Sequence, residues 1–249
     1  NVIKLYAKQR RLIALVTEQI YEKEKNERIL VDLLSQIVEL RNGENGVHIR
    51  HMHILTEMLL EQLVQKTDHY KLKWSDQLVI KTASALHDIG KIGISEKVLN
   101  KKEPLTEREK ELVQAHTLLG ASMLENLDSH KEDELVTTAY EICRWHHERY
   151  DGKGYPDGLK GEEIPISAQI VSLADAYDKL TRDRVNKKGV SHKEAMRILL
   201  QERAGEFNPI LLECLEEIQE NISRAMQDGG RDLEVFNEGS AYKKNDRRG

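Results

Sequence analysis

The tightest constraint on this chain is a histidine and an aspartate side by side where an apolar helix has to stop. Val79 to Leu86 reads VIKTASAL, the end of a buried helix, and His87-Asp88-Ile89-Gly90-Lys91 follows. Gly90 is the residue type that ends a helix in a left-handed conformation. The His-Asp pair is therefore expected where helix gives way to loop. There an imidazole and a carboxylate can turn toward one point, whereas neighbours inside a helix diverge. Imidazole with carboxylate, and no thiolate, is the donor set of a metal that handles phosphate-oxygen chemistry. Lys91 lies one turn on and offers a mobile positive charge to a phosphate. In a chain with 10 histidines such a dipeptide is weak by itself; the residues around it give it weight.

Only 4 prolines and 15 glycines occur in 249 residues, and long runs lack alternating β-branched residues. An all-helical fold is expected, as one large domain or one domain with an appendage. The net charge of −5, with no long basic block, argues against binding a nucleic-acid polymer over a wide face. An anionic substrate has to be met by a local cationic pocket. Cys143 and Cys214 lie far apart and suggest buried thiols in a reducing cytoplasm, with neither a disulfide framework nor a zinc ribbon. The longest apolar runs are interrupted by Asp32, Gln36 and Glu39, or by Lys81 and Ser84, so no membrane span is expected. The first residue is Asn1 rather than Met, which suggests a piece of a longer protein.

Residues 1–41 form the first unit, one or two long helices. Tyr6, Ile13, Ile20 and Leu34 fall at multiples of seven, as do Val16, Leu30 and Ile37, with Lys23 and Glu27 interrupting the seam. Two readings stay open: a signalling helix that dimerises as a coiled coil behind an upstream domain, or an amphipathic helix packed on its own domain. A break at 41–46 precedes a helix from about Val47 with His48, His51 and His53. Glu44 and His48 share a face if that helix begins early, His51 could share a side with His48, and His53 is expected to be exposed. Helices are expected over 52–66 and 76–88. A capping box of Thr106 and Glu109 opens one through about Leu127, which carries His116. Another, from about Asp133, ends in His146-His147, directly before the glycine-rich stretch 148–158. Adjacent histidines before so rigid a loop both need partners if buried, and ligation supplies them. Asp175 sits inside the apolar run of the next helix and must be satisfied or neutralised, with Asp178 one turn later. Helices over 192–203 and 209–227 complete a body spanning 42–227. Residues 228–249 read as a disordered tail.

His87-Asp88-Ile89-Gly90-Lys91, with His146-His147-Glu148-Arg149-Tyr150-Asp151-Gly152-Lys153-Gly154-Tyr155-Pro156, resembles the HD-GYP domain of the HD phosphohydrolase superfamily. The resemblance spans roughly residues 35–220. It implies a helical bundle around a two- or three-metal centre of iron or manganese. It also implies hydrolysis of cyclic di-GMP to pGpG or GMP through a metal-bridging hydroxide. Carried over residue by residue, the metal ligands are Glu44, His48, His87, Asp88, His116, His146, His147 and Asp175, and retention of Glu44 suggests three ions. Lys91, Tyr155, Asp178, Arg184 and Lys187 match positions of substrate contact, with Asp88 and Lys91 the catalytic pair. Family members often serve as the output behind a receiver or sensor domain.

Some positions depart from the family pattern. Lys179 replaces a small residue one turn beyond Asp175, where it either pairs with that carboxylate on the helix surface or crowds the site. Arg182 stands in the same stretch. Asn186 loses an aromatic, Gln169 stands for a common arginine and Ser95 for a proline. None removes a ligand. The readings weighed are a cyclic di-GMP phosphodiesterase, a catalytically weak nucleotide sensor or interaction relay, and a phosphohydrolase for another cyclic dinucleotide.

Overall fold

The computed structural model describes residues 2–42, 46–183 and 188–226, and every regular element among them is helical. The long first helix, α1, runs Val2–Arg41 without a break; its 40 residues hold no glycine or proline to interrupt it. After it come α2 (Val47–Lys66), α3 (Trp74–Ser84), α4 (Glu96–Leu99), α5 (Glu107–Gln114), α6 (His116–Glu125) and α7 (Glu134–Trp145). The chain continues with α8 (Ile166–Thr181), α9 (His192–Arg197) and α10 (Pro209–Glu217), and 219–226 is helical too. Polar residues set several starts. Thr106 and Glu109 form the expected capping box on α5, Asp133 accepts from Leu135 and Val136 on α7, and Asn208 precedes a proline at the first position of α10.

α2 and α8 cross at the centre, with α3, α7 and α10 packed around them. Leu55, Leu59 and Leu63 of α2 are fully buried against Ile170 and Leu173 of α8, Ile142 of α7 and Leu211 and Leu215 of α10. Each such side chain contributes on the order of 2 kcal/mol by leaving water. This core fixes the relative rotation of α2, α7 and α8, and so decides which of their polar residues face one another. Both cysteines are buried, and burial pushes the Cys143 thiol up, as expected for inert packing residues.

The structure corrects several expectations. The helix expected over 106–127 is two, α5 and α6, broken at Ala115. His116 opens the second, its Nδ1 donating to Val113 O at 2.6 Å. The helix expected through Asp88 ends at Ser84, and Ile89–Gly93 forms a 3-10 turn. Gly90 is absent from the left-handed glycines. Its requirement is space instead: a Cβ there would lie 2.0 Å from His116 O and 2.4 Å from Gly120 N. His53 is not exposed; its side chain is 14% accessible, with Nε2 3.6 Å from Asp32 of α1. The stretches 228–249 and 184–187, and Glu44, lie outside the described residues.

One face of α1 packs on the body through Val31, Ser35, Val38 and Glu39, while Leu30, Leu33, Leu34, Ile37 and Leu40 are exposed. Its last residue is tied to the turn after Asp88. Arg41 donates through Nη1 to Ile92 O, through Nη2 to Ile94 O at 3.4 Å and through Nε to Glu96 at 3.1 Å; Asn100 donates back to Arg41 O at 2.9 Å. No helix among the described residues is long and apolar enough to cross a membrane.

Candidate metal centre

Five elements deliver donors to one buried place. α2 supplies His48, the end of α3 and the turn behind it supply His87 and Asp88, and α6 supplies His116. The end of α7 brings His146 and His147, and α8 brings Asp175. The donors form two groups, His116 with His146 and His147, and His48 with His87 and Asp175; within each, the ligand atoms lie within 4.8 Å of one another. Asp88 stands between the groups. Its Oδ1 is 3.2 Å from His116 Nε2 and 3.9 Å from His146 Nε2, and its Oδ2 is 3.4 Å from His87 Nε2. Residues 127 positions apart in sequence, from His48 to Asp175, are thus brought together, while Glu44 is not among those described.

Hydrogen bonds on the far side of each ring fix which nitrogen faces inward. Nδ1 of His87 donates to Ser84 O at 2.8 Å, that of His116 to Val113 O, and that of His146 to Ile142 O at 2.9 Å. A carbonyl can only accept, so these nitrogens carry the proton and each Nε2 presents a lone pair. His48 is set the same way by Asp178 Oδ2, 2.7 Å from its Nδ1. The inward nitrogens then approach closely: His48 Nε2 is 3.2 Å from His87 Nε2, and His116 Nε2 is 3.4 Å from His146 Nε2. Lone pairs so disposed repel unless a cation lies among them. Asp88 Oδ1 and Asp175 Oδ1 are buried and accept no hydrogen bond among the described residues. Divalent or transition metal ions satisfy both anomalies, and the nitrogen-and-oxygen donor set suits them.

The electrostatics agree. Burial pushes His116 down to about 4 and holds His146 and His147 well below the usual imidazole range, so these rings are neutral and able to ligate. Burial would also lower His87, but the carboxylates of Asp88 and Asp175 outweigh it and the net direction is up. Asp88 is held well below the usual range against its burial, by Lys91 first and then His87. Asp175 is brought down to about 2, again against burial, chiefly by Lys179. Both carboxylates are thus held ionised beside uncharged imidazoles of His116, His146 and His147, the forms in which each can ligate.

Asp178 was expected at the substrate. It lies on the far side of His48 from the other donors, fully buried, accepting from Nδ1 of His48 and of His51 (2.5 Å) and from Arg182 Nε (2.9 Å). It fixes the orientation of the His48 ring and leaves Nε2 facing the other donors. His51 is a partner that sequence reasoning left unassigned; its only signal was the three-residue spacing from His48. Asp178→Asn is expected to fold and to lower metal affinity about 10- to 100-fold, a usual cost of losing such a partner. Titration of metal-free protein with manganese would check this, and unchanged affinity would remove Asp178 from the centre.

A cleft of about 330 Å3 opens beside the centre, lined by His147, Tyr155, Asp175 and Lys179 among others. Tyr155 stacks on His147, ring centroids 4.9 Å apart and 30° between planes, and its amide donates to His147 O at 3.2 Å. Burial pushes its phenol up, so it remains a hydroxyl. Glu148, unremarked in the sequence beyond its place in the motif, pins the loop: its Oε1 accepts from Asp157 N at 2.6 Å and Gly158 N at 2.9 Å. Gly154 lets the loop fold back, since a Cβ would meet Arg149 N and Glu148 Cα at 2.4 Å. Lys91 donates to Asp88 Oδ2 at 2.5 Å.

Against known proteins, residues 9–211 match the HD domain family. This chain belongs to the HD domain family. Among curated relatives, a "Probable cyclic di-GMP phosphodiesterase" of Vibrio cholerae is 39% identical over 78% of this chain and 44% of its own length. The "Cyclic di-GMP phosphodiesterase response regulator RpfG" of Xanthomonas campestris is 33% identical over 83% of this chain and 51% of its own. A "3'3'-cGAMP-specific phosphodiesterase 2" of Vibrio cholerae is 34% identical over 76% and 34%. The chain thus spans about half or less of these relatives. A solved structure, "Bd1817, a HDG"Y"P protein from Bdellovibrio bacteriovorus", shares the fold with a TM-score of 0.53 at 19% identity, over 82% of this chain and 67% of that one. The HD-GYP resemblance and the all-α HD fold stand on these matches.

Proposed function

We propose that this HD domain is a metal-dependent phosphodiesterase that hydrolyses cyclic di-GMP to pGpG, GMP or both, with iron or manganese as its metal. The observation that carries the reading is Asp88, a half-buried carboxylate between two groups of inward-facing imidazole nitrogens. When bound, a pair of ions supplies a nucleophile at neutral pH and countercharge for phosphoryl oxygens. The chain's own residues do the rest. Asp88 spans both groups and sets their separation. Lys91, held on Asp88 Oδ2, offers an ammonium to charge gathering on the phosphate. Tyr155 walls the cleft and keeps a proton to donate. Arg184 and Lys187 retain their expected phosphate contacts, and Glu44 its expected part in a third ion, on the resemblance alone.

The relative named for 3'3'-cGAMP favours a second reading, the same chemistry on another cyclic dinucleotide. A response regulator among the relatives supports an upstream receiver or sensor domain and a cytoplasmic setting. The exposed stripe of Leu30, Leu33, Ile37 and Leu40, spaced three and four apart, supports pairing of two copies along α1. The test is elemental analysis of anaerobically prepared protein, followed by product identification with cyclic di-GMP and 3'3'-cGAMP on the same sample. At least two ions per chain with turnover of cyclic di-GMP is the expected result. A metal-loaded protein that leaves both nucleotides intact sinks the enzymatic reading and favours a sensor or relay.

A further inference from the structure

Lys179 is a departure from the family pattern, and the structure gives it a definite place. It stands one turn beyond Asp175 on α8, and its Nζ donates to Asp175 Oδ2. The other oxygen of that carboxylate looks the opposite way, 3.8 Å from His48 Nε2 and 4.0 Å from His87 Nε2. Lys179 is 29% exposed where Asp175 is 4%, so the ammonium lies at the boundary between the buried donors and the open cleft it helps to line. The pairing with Asp175 that was one of the two expectations is present, and it is made at the edge of the cleft. After burial, its charge is among the causes that lower His146 and His147, so it is electrostatically close to the centre.

An ammonium has three donors, and Asp175 takes one, leaving donors for a second acceptor in the cleft. Of the other cations lining the cleft, Arg149 pairs with Asp151 at 2.7 Å and Arg203 with Glu206, while Lys153 stands at the rim, 77% exposed with its Nζ 4.0 Å from Asp151, and makes no contact with the donor groups that Lys179 touches through Asp175. Once a cation engages Asp175 Oδ1, the carboxylate holds the ammonium less strongly, and an incoming anion gains by it. We propose that Lys179 is a phosphate-binding residue of this cleft, bridging Asp175 Oδ2 and a non-bridging oxygen of a cyclic dinucleotide. The proposal rests on the phosphodiesterase reading for its ligand, but it concerns binding rather than turnover.

The test uses the metal-loaded protein, its Lys179→Gln and Lys179→Arg variants, and a non-hydrolysable phosphorothioate analogue of cyclic di-GMP, titrated by calorimetry. Helical content and metal-to-protein ratio are measured on the same samples. Lys179→Gln is expected to keep its metal and to bind the analogue roughly 10- to 100-fold more weakly, the range for a lost hydrogen bond to a charged group. KM for cyclic di-GMP should rise in step, with kcat changed far less, and Lys179→Arg should recover part of the affinity. Unchanged or tighter binding by Lys179→Gln overturns the proposal, and with increased metal content it would make Lys179 a competitor for Asp175. Failure of the wild type to bind the analogue overturns it too. A wild type that binds without turnover removes the enzymatic reading alone, since the ratio between wild type and variant is still read.

Discussion

Asp88→Asn is expected to strip the protein of most of its metal and to reduce hydrolysis of cyclic di-GMP by about 1,000-fold or more. The substitution keeps the size of the side chain and removes its charge. An amide can offer one oxygen to one side of the centre, but its nitrogen has no lone pair for the other. Asp88 now faces both, with Oδ1 toward His116 and His146 and Oδ2 toward His87 and Lys91. A loss of about 4 kcal/mol of transition-state stabilisation corresponds to that factor and is of the size attributed to metal-ion chemistry. Elemental analysis and product assay on one preparation check both halves. A variant that retains two ions per chain and turns over within about tenfold of the wild type would refute the bridging role.

Gly90→Ala should be nearly as damaging, by a different route. The new methyl would meet His116 O and Gly120 N, both backbone atoms, at 2.0 and 2.4 Å. Neither can swing aside as a side-chain tip can, so the turn and α6 must separate. Overpacking of this kind costs about 1–3 kcal/mol, with more where backbone must move. The separation also draws Asp88 from His116, so any protein that folds should be short of metal. Gly205→Ala is the control, because a Cβ there meets nothing within 4 Å. Thermal unfolding should show a clear drop in Tm for the first and little change for the second. Equal Tm values would mean that the close approach at Gly90 does not matter.

Much of this centre could be read before any coordinates, and particular residues show why. His146 and His147 sit together before a loop stiffened by glycines, and local sequence alone marks them. His87 and Asp88 are marked by the end of an apolar helix. His48 and His116 gave no such local sign, since single histidines on helices are common, and they came only with the family resemblance. The second role of α2 and α8 was hidden for a physical reason. Asp178 meets His48 and His51 only because the leucine core sets the rotation of one helix against the other. Gly90 was recognised as necessary for the wrong reason, because a sequence displays conformational preference and not the atoms that will stand opposite. His53 was placed in solvent because nothing in its own helix indicated that α1 would cover it.

The grip of Arg41 on Ile92 and Ile94 has a mechanical consequence. A helix of 40 residues is a rod about 60 Å long at 1.5 Å per residue. Torque applied near its first turns would be carried along the rod toward the peptide groups just downstream of Asp88. The gap between Asp88 and His116, already braced on the other side by α6, would open or close by a fraction of an ångström in response. Ion retention would thus become a gauge of distant strain, legible without any contact between the remote end and the nucleotide.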